Sequence, residues 1–211
     1  LWEVAGRLSL KRVVSLLIDA SLTQEQQQKL EQYLELLIKW NKTYNLTAIR
    51  DRQKMVTHHI LDSLSVIPYL QGERLIDLGS GGGLPGIPAA LLYPEQSVVM
   101  LDSNVKKTRF IQQAILELGL KNASVVHSRV EQFQPEQPFD TVVSRAFTSL
   151  SQFLRYAKPL LSEGGRVVAM KGKWPEPEGG EVIEGFELEQ VVPITVPGID
   201  AERHLVICRK G

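Results

Sequence analysis

The sequence predicts an α/β fold with a helical N-terminal extension, and three observations carry that reading. Residues 1–70 read as helical. From residue 71 onward short apolar runs alternate with helical periods. The last two β-rich runs lie too close together for a crossover helix between them. The expected division is a helical extension over 1–70 and a sheet domain over 71–211.

The elements follow in order. Thr23 with Gln26 three residues on makes a capping-box pattern, and Leu30, Tyr33, Leu34, Leu37 and Ile38 recur at helical spacing. A break is expected over 41–45 and a second helix over 51–69, with Met55, Ile60, Leu61, Leu64 and Ile67 on its apolar side. Strands are expected over 74–78, 97–102, 123–127, 139–144 and 165–171, with helices over 105–118 and 150–161. Pro85 and Pro88 suit the first turn of a helix after the first strand, where a missing N–H costs little. Residues 173–185 are rich in Pro, Gly and Glu and predict a mobile loop. The runs 186–196 and 203–209, joined by Pro197-Gly198-Ile199-Asp200, predict an antiparallel pair.

Composition sets the outer limits. Apolar residues at 43% and charged residues at 23% are ordinary for a globular chain. No run approaches the roughly 18 to 20 apolar residues that span a membrane, so no membrane partner is expected. Residues 1–10 lack a basic region followed by an apolar core, so no secretory signal is expected either. Cys208 is the only cysteine, which excludes an internal disulfide and a zinc cluster and fits a cytoplasmic location. No metal site is expected. The net charge is zero, with 24 basic and 24 acidic residues, so any nucleic-acid binding must rest on local basic clusters.

A strand, a run of glycines and a helix let backbone approach a ligand closely and aim N–H groups at it. The run here is Asp77-Leu78-Gly79-Ser80-Gly81-Gly82-Gly83-Leu84-Pro85-Gly86. Gly81-x-Gly83-x-x-Gly86 fits a dinucleotide fingerprint, while Gly79-x-Gly81-x-Gly83 starts directly after the strand. Asp77 before the turn disfavours a pyrophosphate and suits the ammonium of a methionine moiety. Asp102, with Ser103 after it, closes the next strand where an acid accepts hydrogen bonds from ribose hydroxyls, in NAD enzymes and methyltransferases alike. Val130 and Glu131 follow the third strand, where an adenine-contacting loop would lie.

The run Leu75-Ile76-Asp77-Leu78-Gly79-Ser80-Gly81-Gly82-Gly83-Leu84-Pro85-Gly86-Ile87-Pro88 resembles the bacterial glucose-inhibited division protein B family, also called ribosomal RNA small-subunit methyltransferase G. The resemblance extends to Lys39-Trp40-Asn41, Tyr44-Asn45-Leu46-Thr47, His59-Ile60-Leu61-Asp62-Ser63 and Ser128-Arg129-Val130-Glu131. It is seen again in Ser144-Arg145-Ala146-Phe147, Lys171-Gly172 and Glu202-Arg203-His204-Leu205-Val206. It covers nearly the whole chain from about Leu30 and departs at Gly82, where members often carry proline.

The resemblance implies a class I S-adenosylmethionine-dependent methyltransferase, with a Rossmann-like, mostly parallel seven-stranded sheet. It implies S-adenosylmethionine as cofactor and the N7 of one guanine in 16S (small-subunit) ribosomal RNA as acceptor. The cofactor contacts it suggests are Gly79, Leu84, Val130, Glu131 and Arg145. Asp77, Gly81, Gly83, Asp102 and Ser103 are further candidates.

Guanine N7 carries a free lone pair, so methyl transfer to it needs placement and no general base. The residues agree with that chemistry. Cys208 lies on the last predicted strand, unlike a 5-methylcytosine nucleophile. Ser144-Arg145-Ala146-Phe147 stands where an exocyclic-amine enzyme carries an Asp/Asn-Pro-Pro-aromatic run. Arg145 is the expected positioning residue, bonding guanine O6, a phosphate or the cofactor carboxylate. Phe147 suits either a stacking or a core role, and Trp40 and Tyr44 read as core. His58 and His59 cannot share a helix face, so one is expected to be structural and the other to meet the cofactor or RNA. His59, Lys171, Lys173 and Arg203 are the RNA-binding candidates. Lys39, Lys42, Arg50, Arg52 and Lys54 form either a basic rim or a solvated face of mixed charge.

The expected partner is 16S ribosomal RNA within the small ribosomal subunit or an assembly intermediate, and the expected state is a monomer. Two rival readings remain at this level. One is an S-adenosylmethionine-dependent enzyme of another substrate; the other is a nucleotide-binding regulator without catalysis.

Overall fold

The computed structural model describes residues 3–4, 8–9, 22–147, 149–174 and 182–211. Most of the segment expected to be a mobile loop, 175–181, lies outside the described residues. A short antiparallel pair, Glu3–Val4 with Leu8–Ser9, precedes the helices. Helix α1 spans Gln24–Tyr44 and begins with the expected capping box. The Thr23 hydroxyl accepts from Gln26 N–H at 3.1 Å, and Gln26 Oε1 accepts from Thr23 N–H at 3.0 Å. Helix α1 runs through the expected break at 41–45 because Asn41 is buried and organises the chain that follows. Its Nδ2 donates to Ile49 O at 3.1 Å, and its Oδ1 accepts from Thr47 N–H at 2.8 Å. Asn45, in the left-handed region at φ 52°, ends the helix.

The second predicted helix forms with a change of winding inside it. Helix α2 (Arg52–Met55) passes into a π-helical turn, Val56–Leu61, then into α3 (Asp62–Val66) and a 3₁₀ turn, Ile67–Tyr69. A π turn inside an α-helix is frequent at functional sites, and this one carries His58 and His59.

Seven strands make one sheet: β1 (Arg74–Leu78), β2 (Ser97–Asp102), β3 (Ala123–His127), β4 (Phe139–Ser144), β5 (Leu161–Lys171), β6 (Phe186–Pro193) and β7 (His204–Lys210). Their order is β3-β2-β1-β4-β5-β7-β6, with β7 antiparallel to both β5 and β6 and every other pair parallel. Helices α4 (Gly86–Leu92), α5 (Val105–Leu118) and α6 (Leu150–Ala157) connect the strands. The helix expected over 150–161 stops at Ala157, and β5 starts at Leu161 rather than 165. A register shift between Phe139 and Thr141 on the partner strand β4 admits the extra residues.

Both faces of the sheet are covered, as parallel strands require. One core cluster joins Leu30, Leu34 and Leu37 of α1 to Ile60 and Leu64, to Ile87 of α4 and to Phe110 of α5. The other packs Phe153 and Leu154 of α6 on Ile76, Val142, Val167 and Cys208. The N-terminal helices therefore share the core of the sheet. Trp40 packs partly buried against it, edge-on to Phe110, whereas Tyr44, expected in the core, is 42% exposed. Strand order reverses between β1 and β4, the switch point where open α/β sheets bind ligands beyond their carboxyl ends.

Tyr33 ties α1 to the glycine turn. Its ring is fully buried, and its hydroxyl donates to the carbonyl of Gly82. Burial pushes the Tyr33 phenol well above its ordinary range, so it remains a donor at all ordinary pH. Tyr33→Phe leaves a part-buried carbonyl unpaired and should lower unfolding free energy by about 1–2 kcal/mol. Urea denaturation checks this through the midpoint; an unchanged midpoint would refute the tie.

Candidate functional site

The glycine turn takes its shape from two carboxylates. Gly79, Gly81 and Gly83 lie at φ +70°, +59° and +83°, a region closed to most side chains. Gly79 N–H donates to Leu101 O at 2.8 Å, and a Cβ there would come within 2.7 Å of the Ala146 Cβ. A Cβ on Gly81 would meet nothing within 4 Å, so its glycine answers to backbone conformation alone.

Asp102 at the end of β2 accepts from Gly81 N–H at 2.8 Å through Oδ2 and from Asn104 N–H at 2.8 Å through Oδ1. Asp77 lies beneath the turn, 1% exposed, with Oδ2 accepting from Gly86 N–H at 2.9 Å. Its Oδ1 is buried without a partner among the described residues. Burial pushes the Asp77 carboxyl up to about 7, against the lowering influence of the Gly86 hydrogen bond, of the neighbouring Ser80 hydroxyl and of Arg145. In this structure Asp77 holds the start of α4 and is not among the lining residues of the three cavities along the sheet edge.

Three adjoining cavities run along the carboxyl edge of the sheet. The strand-side cavity, about 440 Å³, is lined by Gly79, Asp102, Ser103, Val130, Glu131 and Phe147, among others. Glu131 accepts from the Tyr156 hydroxyl at 2.9 Å, and hydrogen bonding to its own backbone N–H and to Tyr156 holds its carboxyl below the usual range. Phe147 stacks on Phe153 at 5.1 Å, so its ring belongs to the second core and also borders the cavity.

The loop-side cavity, about 220 Å³, is walled by Leu37, Thr47, His59, the turn 79–82, Leu84, Lys107, Arg145 and Ala146. Gly79, Lys107 and Ala146 border both of these cavities. The hairpin-side cavity, about 360 Å³, is lined by His58, His59, Asp62, Arg145, Lys171, Arg203 and His204, among others. It meets the loop-side cavity at His59 and Arg145.

Arg145 follows β4, whose end is fixed by Ser144. The Ser144 hydroxyl donates to Leu78 O at 2.6 Å and accepts from Ala146 N–H at 3.0 Å. Arg145 Nη1 reaches Asp62 Oδ2 at 3.1 Å and the His58 carbonyl at 3.3 Å, and Arg203 Nε donates to the other Asp62 oxygen at 3.2 Å. One largely buried carboxylate thus holds two guanidinium groups. Lys171 is buried, with Nζ donating to Phe147 O at 3.0 Å.

His59 Nδ1 donates to the His58 carbonyl at 3.2 Å, which leaves Nε2 to accept from the Thr47 hydroxyl at 2.9 Å. Burial first, and the Arg145 charge second, lower the imidazole to about 4, so it is neutral at physiological pH. Both His58 and His59, carried by the π turn, border the hairpin-side cavity with Arg145.

Of the sequence candidates, Gly79, Gly81, Leu84, Asp102, Ser103, Val130, Glu131, Arg145, His59, Lys171 and Arg203 line these cavities. Gly83 shapes the turn without lining it, and Lys173 is exposed outside the three. Arg52 of the suggested basic rim pairs with Glu35 at 2.7 Å, which favours the mixed-charge reading for it. Asp62, Thr47 and Lys107 were not singled out. Asp62 and Thr47 stand in the motif blocks, but the arginine partners of Asp62 lie 83 and 141 residues away, the Thr47–His59 contact depends on the turn between them, and Lys107 carries no local signal. Cys208 is fully buried in the second core, and burial pushes its thiol up to about 12, which rules it out as a nucleophile.

The sheet order and the site at its switch point define a class I, Rossmann-like methyltransferase fold. Solved structures agree on the fold. A SAM dependent methyltransferase from Aquifex aeolicus superposes with a TM-score of 0.54 at 16% identity over 75% of this chain and 93% of that one. TrmN from Thermus thermophilus gives 0.56 at 22% identity over 66% of this chain and 44% of the longer one. The family model described as rRNA small subunit methyltransferase G matches residues 26–206. The Ribosomal RNA small subunit methyltransferase G of Chromobacterium violaceum is 54% identical over 88% of this chain and 89% of its own. Its namesake from Pseudomonas aeruginosa PAO1 is 50% identical over 92% and 91%. The chain belongs to the rRNA small subunit methyltransferase G family.

Asp77 yields a pH test. Its folded pKa, about 7, stands above the ordinary carboxyl value. The folded state therefore binds more protons, and this group's contribution to stability is lost as pH rises from about 4 through 7. Asp77→Asn keeps an oxygen for Gly86 N–H without the charge. Its melting temperature relative to the parent should rise by a few degrees between pH 5 and pH 8 in calorimetry. A difference independent of pH would contradict the assignment.

Proposed function

We propose that this chain transfers a methyl group from S-adenosylmethionine to the N7 of one guanine in 16S ribosomal RNA, acting as a cytoplasmic monomer on the small subunit or an assembly intermediate. The observation that carries the reading is the junction at Arg145 and His59, where the loop-side and hairpin-side cavities meet.

The residues present fit the cofactor. The strand-side cavity offers the Asp102 and Glu131 carboxylates to hydroxyl and amine donors, with Leu101, Val130 and Phe147 as apolar walls for a flat base. The loop-side cavity has the half-buried backbone of Gly79, Gly81 and Gly82 in its wall, where no side chain stands in the way of a ligand. When bound, S-adenosylmethionine supplies an electrophilic methyl group on a sulfonium sulfur.

Among the described residues the junction holds donors and no free base. Both nitrogens of neutral His59 are engaged, and the guanidinium of Arg145 is held by Asp62 and the His58 carbonyl. A nucleophile that must lose a proton finds no acceptor at that point, whereas guanine N7 brings its own lone pair. The role left to the protein is placement, the factor on which such a reaction depends. Arg145 is positioned to donate to guanine O6 or a phosphate without occupying N7. Arg203 and Lys171 line the same cavity as binding groups for RNA, and Lys173 is a further exposed candidate.

The direct test incubates small subunits from cells lacking the protein with pure enzyme and S-adenosylmethionine, then maps 16S ribosomal RNA by mass. One new 7-methylguanosine is expected; none would overturn the reading. Methylation of a small metabolite alone would favour a different substrate, and binding without any transfer a regulator. Because the net charge is zero, free ribosomal RNA should be the poorer substrate.

Arg203→Met should raise KM for subunits several-fold, with a smaller change in kcat. It should also flatten the slope of log affinity against log salt by about 1. An unchanged slope would remove Arg203 from the RNA contacts.

A further inference from the structure

The charges around the loop-side and strand-side cavities are unevenly placed. Asp102 and Glu131 line the strand-side cavity, together with Lys107 and Arg129. The loop-side cavity is lined by Lys107 and Arg145 and, among the described residues, by no acid. Arg145 is held by the Asp62 carboxylate, which it shares with Arg203, and His59 is neutral. Lys107 is different. It lies in the first turn of α5, half-buried, and has no hydrogen-bond or ion-pair partner among the described residues. Neither Asp102 nor Glu131 takes it as a partner. Asp102 gives its oxygens to the N–H groups of Gly81 and Asn104, and Glu131 accepts from Tyr156.

A half-buried ammonium has lost part of its hydration, so the absence of an anion beside it leaves an electrostatic deficit that a ligand anion fills. The ligand must place that anion at the loop side while its nucleoside lies at the strand side, since Lys107 borders both cavities.

We propose that Lys107 is a binding residue for the α-carboxylate of the methionine moiety, and that it fixes which end of the cofactor enters the loop-side cavity. This rests on the reading that S-adenosylmethionine is the cofactor. The polarity has a structural logic: acids at one end meet hydroxyl and amine donors, and a cation with no partner among the described residues meets the ligand's acid at the other. The same reasoning makes Lys107 a gate against nucleosides lacking an anionic tail. They would occupy the strand side and leave the ammonium unmatched.

The test is calorimetric and needs no turnover. S-adenosylmethionine and its decarboxylated form differ by the carboxylate alone, and both are titrated into the protein and into Lys107→Met, which keeps the aliphatic stem. The parent should prefer the carboxylated ligand by roughly tenfold, the scale of one charge-assisted hydrogen bond. Lys107→Met should lose most of that preference with little change for the decarboxylated ligand, and Lys107→Arg should restore it.

Equal loss for both ligands would place Lys107 in the nucleoside site or the fold and overturn the proposal. A preserved preference in Lys107→Met would overturn it too, by assigning the carboxylate to another group. If the parent binds neither ligand, the cofactor reading itself fails, which the titration of the parent alone reveals.

Discussion

The site depends on one carboxylate shared by two arginines. Asp62 comes from the helical layer, Arg145 from the loop after β4, and Arg203 from the residue before β7, so a single side chain joins three separate parts of the chain. With side-chain exposures of 10%, 25% and 28%, the group is largely withdrawn from water. Burying two cations beside one anion costs desolvation, and the arrangement makes sense only if it fixes geometry. It holds both guanidinium groups on the same cavity wall and retains a net positive charge there. The N-terminal helices thus help to build the site as well as to cover the sheet.

That local excess resolves the difficulty posed by overall neutrality. Arg145, Arg203 and Lys171 converge on the hairpin-side cavity with Asp62 as the only lining acid among the described residues. By contrast, Arg52 faces Glu35 at the surface, where exposed pairs contribute little and salt screens them. Zero net charge and a focused cationic cavity are compatible because attraction over a few ångströms is set by placement.

Local patterns made much of the fold legible. The capping box at Thr23, the strands at 74–78, 97–102, 123–127 and 139–144, and the closing hairpin all follow from periodicity and turn chemistry. What escaped depends on tertiary partners. Asn41 looks like a helix breaker, yet its side chain is satisfied by Thr47 and Ile49, so α1 continues. The π turn has no signature in hydrophobic spacing, and it is what brings both histidines beside Arg145. The motif blocks include stretches that border the cavities, but they do not distinguish Asp77, buried beneath the turn, from Asp102, which borders the strand-side cavity. Nor could they show that Asp62 and Arg203, 141 residues apart, share a bond.

The shared carboxylate is tested most directly by a double-mutant cycle of Asp62→Asn and Arg203→Met, read as kcat/KM on small subunits. If Asp62 acts by holding Arg203 in place, the double variant should be no worse than Asp62→Asn alone, a coupling of about 1–3 kcal/mol. Costs that simply multiply would mean that the two residues act independently and that the carboxylate does not organise the site.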